Sequence, residues 1–370
     1  MTHRLAVGDA PRLTIDLGAL AHNWRLVQQA CPGDGVGAVL KNDAYGLGVT
    51  AVAPTLWTLG CRDYWVATLD EAMALRQTLP DPAARIYVLH GLGGLSARDW
   101  AAQDLIPVLA GPHEAAALVR APAKARLPIA VHLDTGLTRL GFDEAALDLL
   151  QPGRALWQHA DLRLWVTHLG RFHDPAAPQC QLQRQRFVQW TAHLPRARRS
   201  IATSSSVFAG PDWHFGQARV GSALWGVSTN VHGQPPLRPV ASLQAPVLRV
   251  AEVAEGTEVG YAGRYITPRP QRIATVGLGY GNGLPFGLVN RGQFMLGGKP
   301  APIVGGVAMG MVALDVSAFA PGEVQPGQWA EVFGRQQAIE ALAAAAEVAP
   351  NVLLSLAARL TPQRRLEHAP

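Results

Sequence analysis

The chain has 370 residues, of which 48% are hydrophobic and 16% charged, and its formal net charge is +5. This length suits two domains, and without a run of eighteen uncharged apolar residues or a signal-peptide core we expect a cytoplasmic protein that binds no membrane. Scattered arginines argue against nucleic acid and favour small anions, while three cysteines without paired spacing argue against disulfides or a metal site.

The first strong β-prone run ends in a lysine. Residues 36–48 read Val-Gly-Ala-Val-Leu-Lys-Asn-Asp-Ala-Tyr-Gly-Leu-Gly, so Lys41 stands between an apolar strand and a turn. The only other lysines are Lys124 and Lys299. Burial lowers the pKa of an amine, and a neutral amine forms Schiff bases. The structural alternative is a lysine that caps the strand and extends its amine to solvent.

Short apolar runs recur through the first 226 residues, and alanine- and leucine-rich stretches with helical spacing separate most of them. The predicted strands are Gly37–Leu40, Tyr64–Thr68, Arg85–Leu89, Ile106–Leu109, Ile129–Leu133, Leu164–Thr167, Ser200–Thr203 and Ala218–Val220. The predicted helices include Leu69–Gln77, Glu114–Arg120, Glu144–Leu150 and Gln181–His193. This alternation predicts an α/β fold, a (β/α)₈ TIM-type barrel. The competing doubly wound sheet usually carries a Gly-x-Gly-x-x-Gly fingerprint, which does not occur here.

The composition and the residue pattern of the sequence change after Val227. Ser228–Pro239 has the composition of a linker, and alternating segments with turn signals follow it. The later predicted strands are Pro246–Val253, Ile273–Leu278, Gln293–Leu296, Pro302–Val307, Val312–Val316 and Trp329–Phe333, and a helical pattern covers Gln336–Ala346. We therefore expect a barrel domain over residues 1–235 and a mainly-β domain over residues 236–370, with the first ten or so residues as candidates for joining the β-domain.

Polar residues follow several of the barrel strands, at the ends where such barrels build their active sites. They are Lys41, Tyr45, Asp134, Arg139, His168, Thr203, Ser204, Ser205, Arg219 and Ser222. Hydroxyls and free amides after strands seven and eight form the usual phosphate site of this fold. A phosphate facing a lysine suggests pyridoxal 5′-phosphate bound as an imine. Taken singly, His168 also fits a core histidine, and residues 204–206 fit a plain loop.

Seven segments then point to one family. They are Lys-Asn-Asp-Ala-Tyr-Gly-Leu-Gly at 41–48, Leu-Asp-Thr-Gly-Leu-Thr-Arg-Leu-Gly at 133–141, Thr-His-Leu at 167–169, Ala-Arg-Val-Gly-Ser-Ala-Leu-Trp-Gly at 218–226, Val-Gly-Tyr at 259–261, Gly-Tyr-Gly-Asn-Gly at 279–283 and Pro-Ile-Val-Gly-Gly-Val-Ala-Met at 302–309. In this order and across both predicted domains, the chain resembles the pyridoxal-phosphate-dependent alanine racemases along nearly its whole length.

The resemblance implies an isomerase that interconverts L-alanine and D-alanine with two bases. Lys41 would hold the cofactor as an internal aldimine and act as one base, and Tyr261 would be the opposing base. Arg219 would face the pyridine nitrogen with support from His168, and Arg139 would approach the cofactor's phenolic oxygen and the substrate carboxylate. Since an arginine cannot give up its proton, the ring nitrogen would stay unprotonated, which favours racemisation over transamination.

The resemblance also implies a homodimer with shared active sites. The residues expected at the phosphate are Tyr45, Ser204, Gly221 and Ser222. Tyr280 and Met309 would line the substrate entrance, and together with Tyr261 they would come from the partner subunit. The partners expected are therefore an amino-acid substrate and a second copy of this chain.

The chain departs from the family pattern at several positions. The departures are His132 for a lysine, Thr203 for an asparagine, Gly310 and Asn282 for aspartates, Phe286 for an arginine, and Pro350 for a tyrosine that usually reaches the phosphate. They leave two alternatives open: a racemase for another or a broader set of amino acids, and a non-catalytic pyridoxal-phosphate carrier of the same barrel type. Such carriers lack the β-domain.

Overall fold

A computed structural model of the chain describes residues 10–32, 35–121, 126–171, 174, 176–228, 234–361 and 363–367. Within these ranges the strands are β1 (Arg12–Asp16), β2 (Val36–Val39), β3 (Asp63–Val66), β4 (Arg85–Val88), β5 (Ile106–Leu109), β6 (Leu127–His132), β7 (Ala160–Val166), β8 (Arg198–Ser200), β9 (Ala218–Val220), β10 (Ala241–Val253), β11 (Gln271–Val276), β12 (Gln293–Leu296), β13 (Lys299–Val304), β14 (Val312–Asp315), β15 (Trp329–Phe333) and β16 (Gln363–Glu367).

The helices are α1 (Leu17–Ala30), α2 (Lys41–Tyr45), α3 (Val49–Thr58), α4 (Leu69–Thr78), α5 (Ala97–Ala102), α6 (Pro112–Arg120), α7 (Leu156–His159), α8 (Pro178–Ala192), α9 (Ile339–Ala345) and α10 (Pro350–Leu360). Helices α1 to α8 lie between β1 and β8 in sequence, and α9 and α10 lie between β15 and β16. Among the described residues no single helix is long and apolar enough to cross a bilayer; α9 and α10 pass that test only as a pair, bent by 104°.

Strands β2 to β9 form one parallel sheet in the order β8-β7-β6-β5-β4-β3-β2-β9. Backbone hydrogen bonds join its two edges, from the amide of Gln217 to the carbonyl of Arg199 (3.1 Å) and from the amide of Arg219 to the carbonyl of Ala202 (2.9 Å). The sheet therefore curves into a nearly closed barrel, which confirms the predicted (β/α)₈ architecture.

Aromatic and branched side chains fill the barrel. Trp65 and Tyr87 stack with their ring centroids 4.2 Å apart, and Val108, Leu164 and Val166 are buried beside them. Because the interior is packed with apolar groups, the barrel is a core and not a pore. Polar side chains that follow the strands are consequently displaced to the rim at the strands' carboxyl ends.

The second sheet is mainly antiparallel, as predicted. Its order is β11-β14-β13-β12-β15-β10-β1-β16, and β10 also pairs with β11, which closes six of the strands into a ring. Strand β1 pairs antiparallel with β10 and parallel with β16, so residues 12–16 belong to this sheet although they precede the barrel in sequence. Residues 1–9, and residues 229–233 of the predicted linker, lie outside the described residues.

Strand β1 and helix α10 are absent from the elements predicted from the sequence, and one predicted helix has a different geometry. Strand β1 pairs with residues more than 220 positions away, so its five residues carry no nearby hairpin signal. Glu144–Leu150 is helical as expected, but it forms a 3₁₀ helix. Helix α10 was not predicted, although Pro350 at its first turn is a standard helix-start signal.

Candidate active site at the carboxyl rim of the barrel

Lys41 begins a single turn of left-handed helix. The φ angles of residues 42–45 lie between 53° and 59°. The amides of Ala44 and Gly46 each donate a 2.8 Å hydrogen bond to the carbonyl four residues earlier. This conformation costs a non-glycine residue about 1–2 kcal/mol, so the surrounding structure must impose it. The turn brings the side chains of Lys41 and Tyr45 to the same cavity.

Three side chains hold the left-handed turn in place. Glu71 accepts the amide of Asn42 at 2.6 Å, and Asp43 accepts the amide of Val49 at 2.7 Å. Arg359, on α10 of the β-domain, donates to Oδ1 of Asn42 at 2.8 Å. The position of the lysine is therefore fixed by the barrel and by the second domain together.

The environment of Lys41 destabilises the charged form of its amine relative to an amine in water. Although the residue is reachable by solvent through the mouth of the cavity, the protein around it lowers the pKa of its amine by desolvation. Arg139 lowers this pKa further, and Glu71 acts in the opposite direction. More of the amine is then neutral near neutral pH, as an imine-forming amine or a proton acceptor requires.

Arg219 is a buried cation at the centre of the rim. Its guanidinium donates to the carbonyls of Ser200 (3.0 Å) and Thr167 (2.6 Å), and also to the Ser200 hydroxyl. Burial, and then the charge of Arg139, lowers the pKa of Arg219 to about 9, so it remains charged near neutral pH. These hydrogen bonds to Ser200 and Thr167 hold the guanidinium in place, and the support expected from His168 stays a prediction.

Two histidines beside Arg219 are held neutral. Burial, followed by the charges of Arg219 and Arg139, lowers the pKa of His132 to about 4. Burial and Arg219 likewise lower the pKa of His168 well below its ordinary value. Neutral imidazoles add polar atoms to the rim without adding further positive charge.

These groups surround a cavity of about 430 Å³. It is lined by Val39, Lys41, Tyr45, Trp65, Ala67, Leu89, His90, His132, Arg139, Leu140, Val166, His168, Thr203, Ser204, Arg219, Gly221, Ser222 and Asn351. No aspartate or glutamate is among these described lining residues, while Lys41, Arg139 and Arg219 are. Two other concavities, of about 460 and 520 Å³, contain none of the predicted site residues.

One part of the cavity wall is made of hydroxyl groups, which we call the hydroxyl cluster: Tyr45, Ser204 and Ser222 around Gly221. The Ser204 hydroxyl accepts the amides of Gly221 (3.0 Å) and Ala223 (3.2 Å). A Cβ atom at Gly221 would lie 2.3 Å from the Tyr45 hydroxyl, so this close approach requires glycine. Burial raises the pKa of Tyr45 to about 12, which keeps its hydroxyl protonated and able to donate.

Asn351 also lines this wall, and the sequence reasoning missed it. Its Nδ2 donates to the Ser222 hydroxyl at 2.9 Å from the first turn of α10. The family pattern places Pro350 at the position of a tyrosine, which predicts the loss of a hydroxyl at the phosphate and gives no role to the next residue. The available signal was the helix start itself, because a proline at the first helical position places the next residue on the first turn.

The donor set fits an anionic, polar occupant such as pyridoxal 5′-phosphate. Four buried polar atoms of lining residues have no hydrogen-bond partner among the described residues: Nε1 of Trp65, Nδ1 of His132, Oγ1 of Thr203 and Oδ1 of Asn351. Buried polar atoms are rarely left unpaired, so a group that enters this cavity is expected to offer polar atoms of its own. Cationic and hydroxyl donors without a lining carboxylate suit a phosphate.

The remaining predicted residues lie on the surface of the β-domain. Tyr261 is 79% exposed, Met309 66% and Tyr280 45%, and none of them lines the cavity within one chain. The amide of Tyr280 donates to the carbonyl of Ala308 (3.0 Å), and the amide of Gly281 donates to that of Met309 (2.8 Å). The Tyr280 and Met309 loops are therefore joined, but a single chain does not bring them to Lys41.

Family models describe both parts of the chain. The model of the alanine racemase N-terminal domain matches residues 15–229, and that of the alanine racemase C-terminal domain matches residues 240–364. The alanine racemase of Acidiphilium cryptum is 41% identical over 355 residues, which cover 94% of this chain and 97% of that protein. The alanine racemase of Rhodospirillum rubrum is 37% identical, with 94% of each chain covered.

Solved structures agree with these sequence relatives. The alanine racemase of Bartonella henselae, described with covalently bound pyridoxal phosphate, superposes with a TM-score of 0.91 at 29% identity and covers 97% of this chain and 100% of its own. The biosynthetic alanine racemase of Pseudomonas aeruginosa has a TM-score of 0.86 at 30% identity, with 98% and 100% covered.

Proposed function

The chain belongs to the alanine racemase family, and we propose that Lys41 and Tyr261 are the two bases with which it interconverts L-alanine and D-alanine. The observation that carries the proposal is the acid-free cavity at the barrel rim, where a lysine with a lowered pKa stands with two arginines. Racemisation removes the α-proton on one face and returns one on the other, so it needs a base on each face.

The family's cofactor is pyridoxal 5′-phosphate, which when bound supplies the electron sink that makes the substrate α-proton acidic. The residues that would hold its phosphate are those of the hydroxyl cluster, with the protonated Tyr45 and the Ser204 hydroxyl as donors. Arg219 would meet the ring nitrogen, and its persistent charge prevents proton transfer to that atom. Arg139 would orient the substrate carboxylate, for which a guanidinium is a natural partner.

Tyr261 reaches a cavity only if a second chain supplies it. The β-domain also exposes Ile266 (55%), Phe286 (53%) and Met311 (49%), besides Tyr280 and Met309, and we propose that these side chains form one apolar patch with Tyr261. Apolar patches of this kind on a soluble protein commonly mark interaction surfaces. We therefore propose a two-fold homodimer in which this patch covers the partner's cavity mouth, where Lys41 is reachable by solvent.

We further propose that the barrel domain extends to residue 235 and the β-domain from 236, with β1 joining the latter sheet. The two matched segments, 15–229 and 240–364, support this division. A cytoplasmic location is proposed as well, since three free, buried cysteines suit a reducing compartment.

A racemisation panel tests the proposed function. The purified protein, supplied with pyridoxal 5′-phosphate, is offered the L-enantiomers of alanine and of larger and polar amino acids. We expect alanine to be the preferred substrate, and borohydride reduction followed by peptide mapping to place the pyridoxyl group on Lys41. Preference for another amino acid would favour the broader racemase, and labelling of Lys41 without any racemisation would favour a carrier. Labelling of the exposed Lys299 would contradict the assignment.

A further inference from the structure

Asn351 lies on α10 of the β-domain and contacts the hydroxyl cluster, which belongs to the barrel. Its Nδ2 donates to the Ser222 hydroxyl at 2.9 Å, and both residues line the cavity with Tyr45. The amide nitrogen can only donate, so the Ser222 oxygen accepts this bond and keeps its own hydrogen for another partner.

The Tyr45 hydroxyl is available as that partner. Its oxygen lies directly against Gly221, the residue before Ser222, and hydrogen bonding from Ser222 lowers the pKa of Tyr45 against the larger effect of burial. When Ser222 donates to this oxygen, the hydrogen of Tyr45 must point elsewhere. The Tyr45 ring is fixed against Trp225, with the ring centroids 5.7 Å apart, so its hydroxyl has few directions available.

We propose that Asn351 is a positioning residue that sets the direction of the chain Asn351 → Ser222 → Tyr45, and so makes Tyr45 a hydrogen-bond donor to the phosphate of the bound cofactor. The inference rests on the proposed placement of that phosphate at the hydroxyl cluster. It assigns to the β-domain of the same chain a part in cofactor retention, separate from the part that Tyr261 plays across the dimer.

Helix α10 is held independently of Asn351, so the residue can be changed without displacing the helix. Arg359 anchors its later turns to Asn42, and a Cβ atom at Gly46 would lie 3.0 Å from the Ser355 carbonyl. Leu353, Leu354 and the alanines at 357 and 358 are buried in the core. An alanine at position 351 therefore removes the amide and leaves the remaining contacts of the helix.

The test compares cofactors with and without a phosphate. Dissociation constants of pyridoxal 5′-phosphate and of pyridoxal are measured for the full-length wild type, Asn351→Ala, Asn351→Asp and the control Val352→Ala, whose side chain is exposed on the same helix. For Asn351→Ala we expect the phosphorylated cofactor to bind about tenfold more weakly, the effect of one hydrogen bond to a charged group. Pyridoxal should bind as it does to the wild type, and Val352→Ala should match the wild type with both.

Asn351→Asp should lose more affinity than Asn351→Ala. A carboxylate accepts the Ser222 hydrogen, which reverses the chain, and it adds a negative charge near the phosphate. Equal losses for pyridoxal and its phosphate would show a general structural effect and would overturn the proposal, as would unchanged affinities in both Asn351 variants.

A double-mutant cycle with Ser222→Ala supplies the second readout. Because Asn351 acts through Ser222, the loss in the double variant should be no larger than that of Ser222→Ala alone. Additive losses would contradict the chain. A wild type that fails to bind pyridoxal 5′-phosphate would refute the proposed function, whereas tight wild-type binding with unaltered variants would refute only the role of Asn351.

Discussion

In the proposed site Arg219 would decide which reaction is favoured, because it would place a positive charge beside the ring nitrogen, where a proton could otherwise reside. Its three hydrogen bonds go to Ser200 and Thr167, and it is buried against the face of Trp65, 5.5 Å from the ring centroid. Such a group cannot turn away from its site without leaving buried acceptors unpaired.

Arg219→Glu should lower racemisation about 10²- to 10³-fold, since altering one partner of a buried charged contact costs about 2–5 kcal/mol. A carboxyl group can also share a proton with the ring nitrogen and strengthen the electron sink, so side transamination of L-alanine to pyruvate should rise. The control Arg219→Gln matches the glutamate in size but has no proton to transfer to the ring nitrogen, so it should show no rise in pyruvate. Normal racemisation by the glutamate variant would show that Arg219 does not face the ring nitrogen.

His132 makes the folded protein sensitive to acid. Its pKa is about 4 in the folded chain against an ordinary value of 6.5, so between these pH values the unfolded chain binds a proton that the folded chain refuses. The free energy of unfolding should therefore fall as the pH drops from 6.5 towards 4. Urea denaturation across this range should show a shallower fall for His132→Asn than for the wild type, with the exposed His193→Asn as control. Equal slopes would show that His132 is not held neutral.

At the scale of elements, the left-handed turn of residues 42–45 connects Lys41, the proposed phosphate contact Tyr45 and, through Arg359, the second domain. Glu71 accepts the amide of Asn42 at 2.6 Å with one oxygen and that of Ala67 at 2.7 Å with the other. The carboxylate thus ties the first turn of α4 to the residue that follows Lys41.

Glu71→Ala should destabilise the fold and loosen this turn. It removes the carboxylate that accepts the amides of Asn42, Ala67 and Thr68, and each amide left unpaired costs about 1–3 kcal/mol when shielded from water. Urea denaturation should show the loss, and bound cofactor should dissociate faster than from the wild type. Asp70→Ala, at the exposed neighbouring position on the same turn of α4, is the matched control. Similar effects of the two substitutions would indicate a simple helix-end effect.

Strand ends and helix alternation predicted the barrel and the rim residues, because each barrel strand is a local apolar run followed by its polar residue. The left-handed turn could not be predicted in this way. Asn42 and Asp43 tolerate positive φ, but Ala44 and Tyr45 do not favour it, and Glu71 and Arg359 impose it from remote segments. The same reason hid Asn351, whose role depends on a contact with Ser222, 129 positions away.

On the scale of the whole molecule, the proposed active site needs a second chain. Tyr261, Tyr280 and Met309 are each exposed on the β-domain, and Lys41 is exposed where it lines the barrel cavity. Two-fold pairing would bury both surfaces at once and complete two sites per dimer.

Met311→Asp should break this pairing. The side chain is 49% exposed in the apolar patch, and a charge buried there without a partner costs several kcal/mol. Light scattering should then report monomers that have lost racemisation, while borohydride still fixes the cofactor to Lys41. Leu149→Asp, on a barrel helix and 44% exposed, should stay dimeric and active. An active monomer would contradict the shared site.

Subunit complementation tests the central claim most directly. Lys41→Ala and Tyr261→Phe proteins, each without racemase activity, are unfolded together and refolded as a mixture, with each variant refolded alone as control. If each site takes Lys41 from one chain and Tyr261 from the other, a mixed dimer holds one intact site, and random pairing restores about one quarter of wild-type activity. If both bases came from the same chain, the mixture would stay inactive, and the two-chain, two-base account would be wrong.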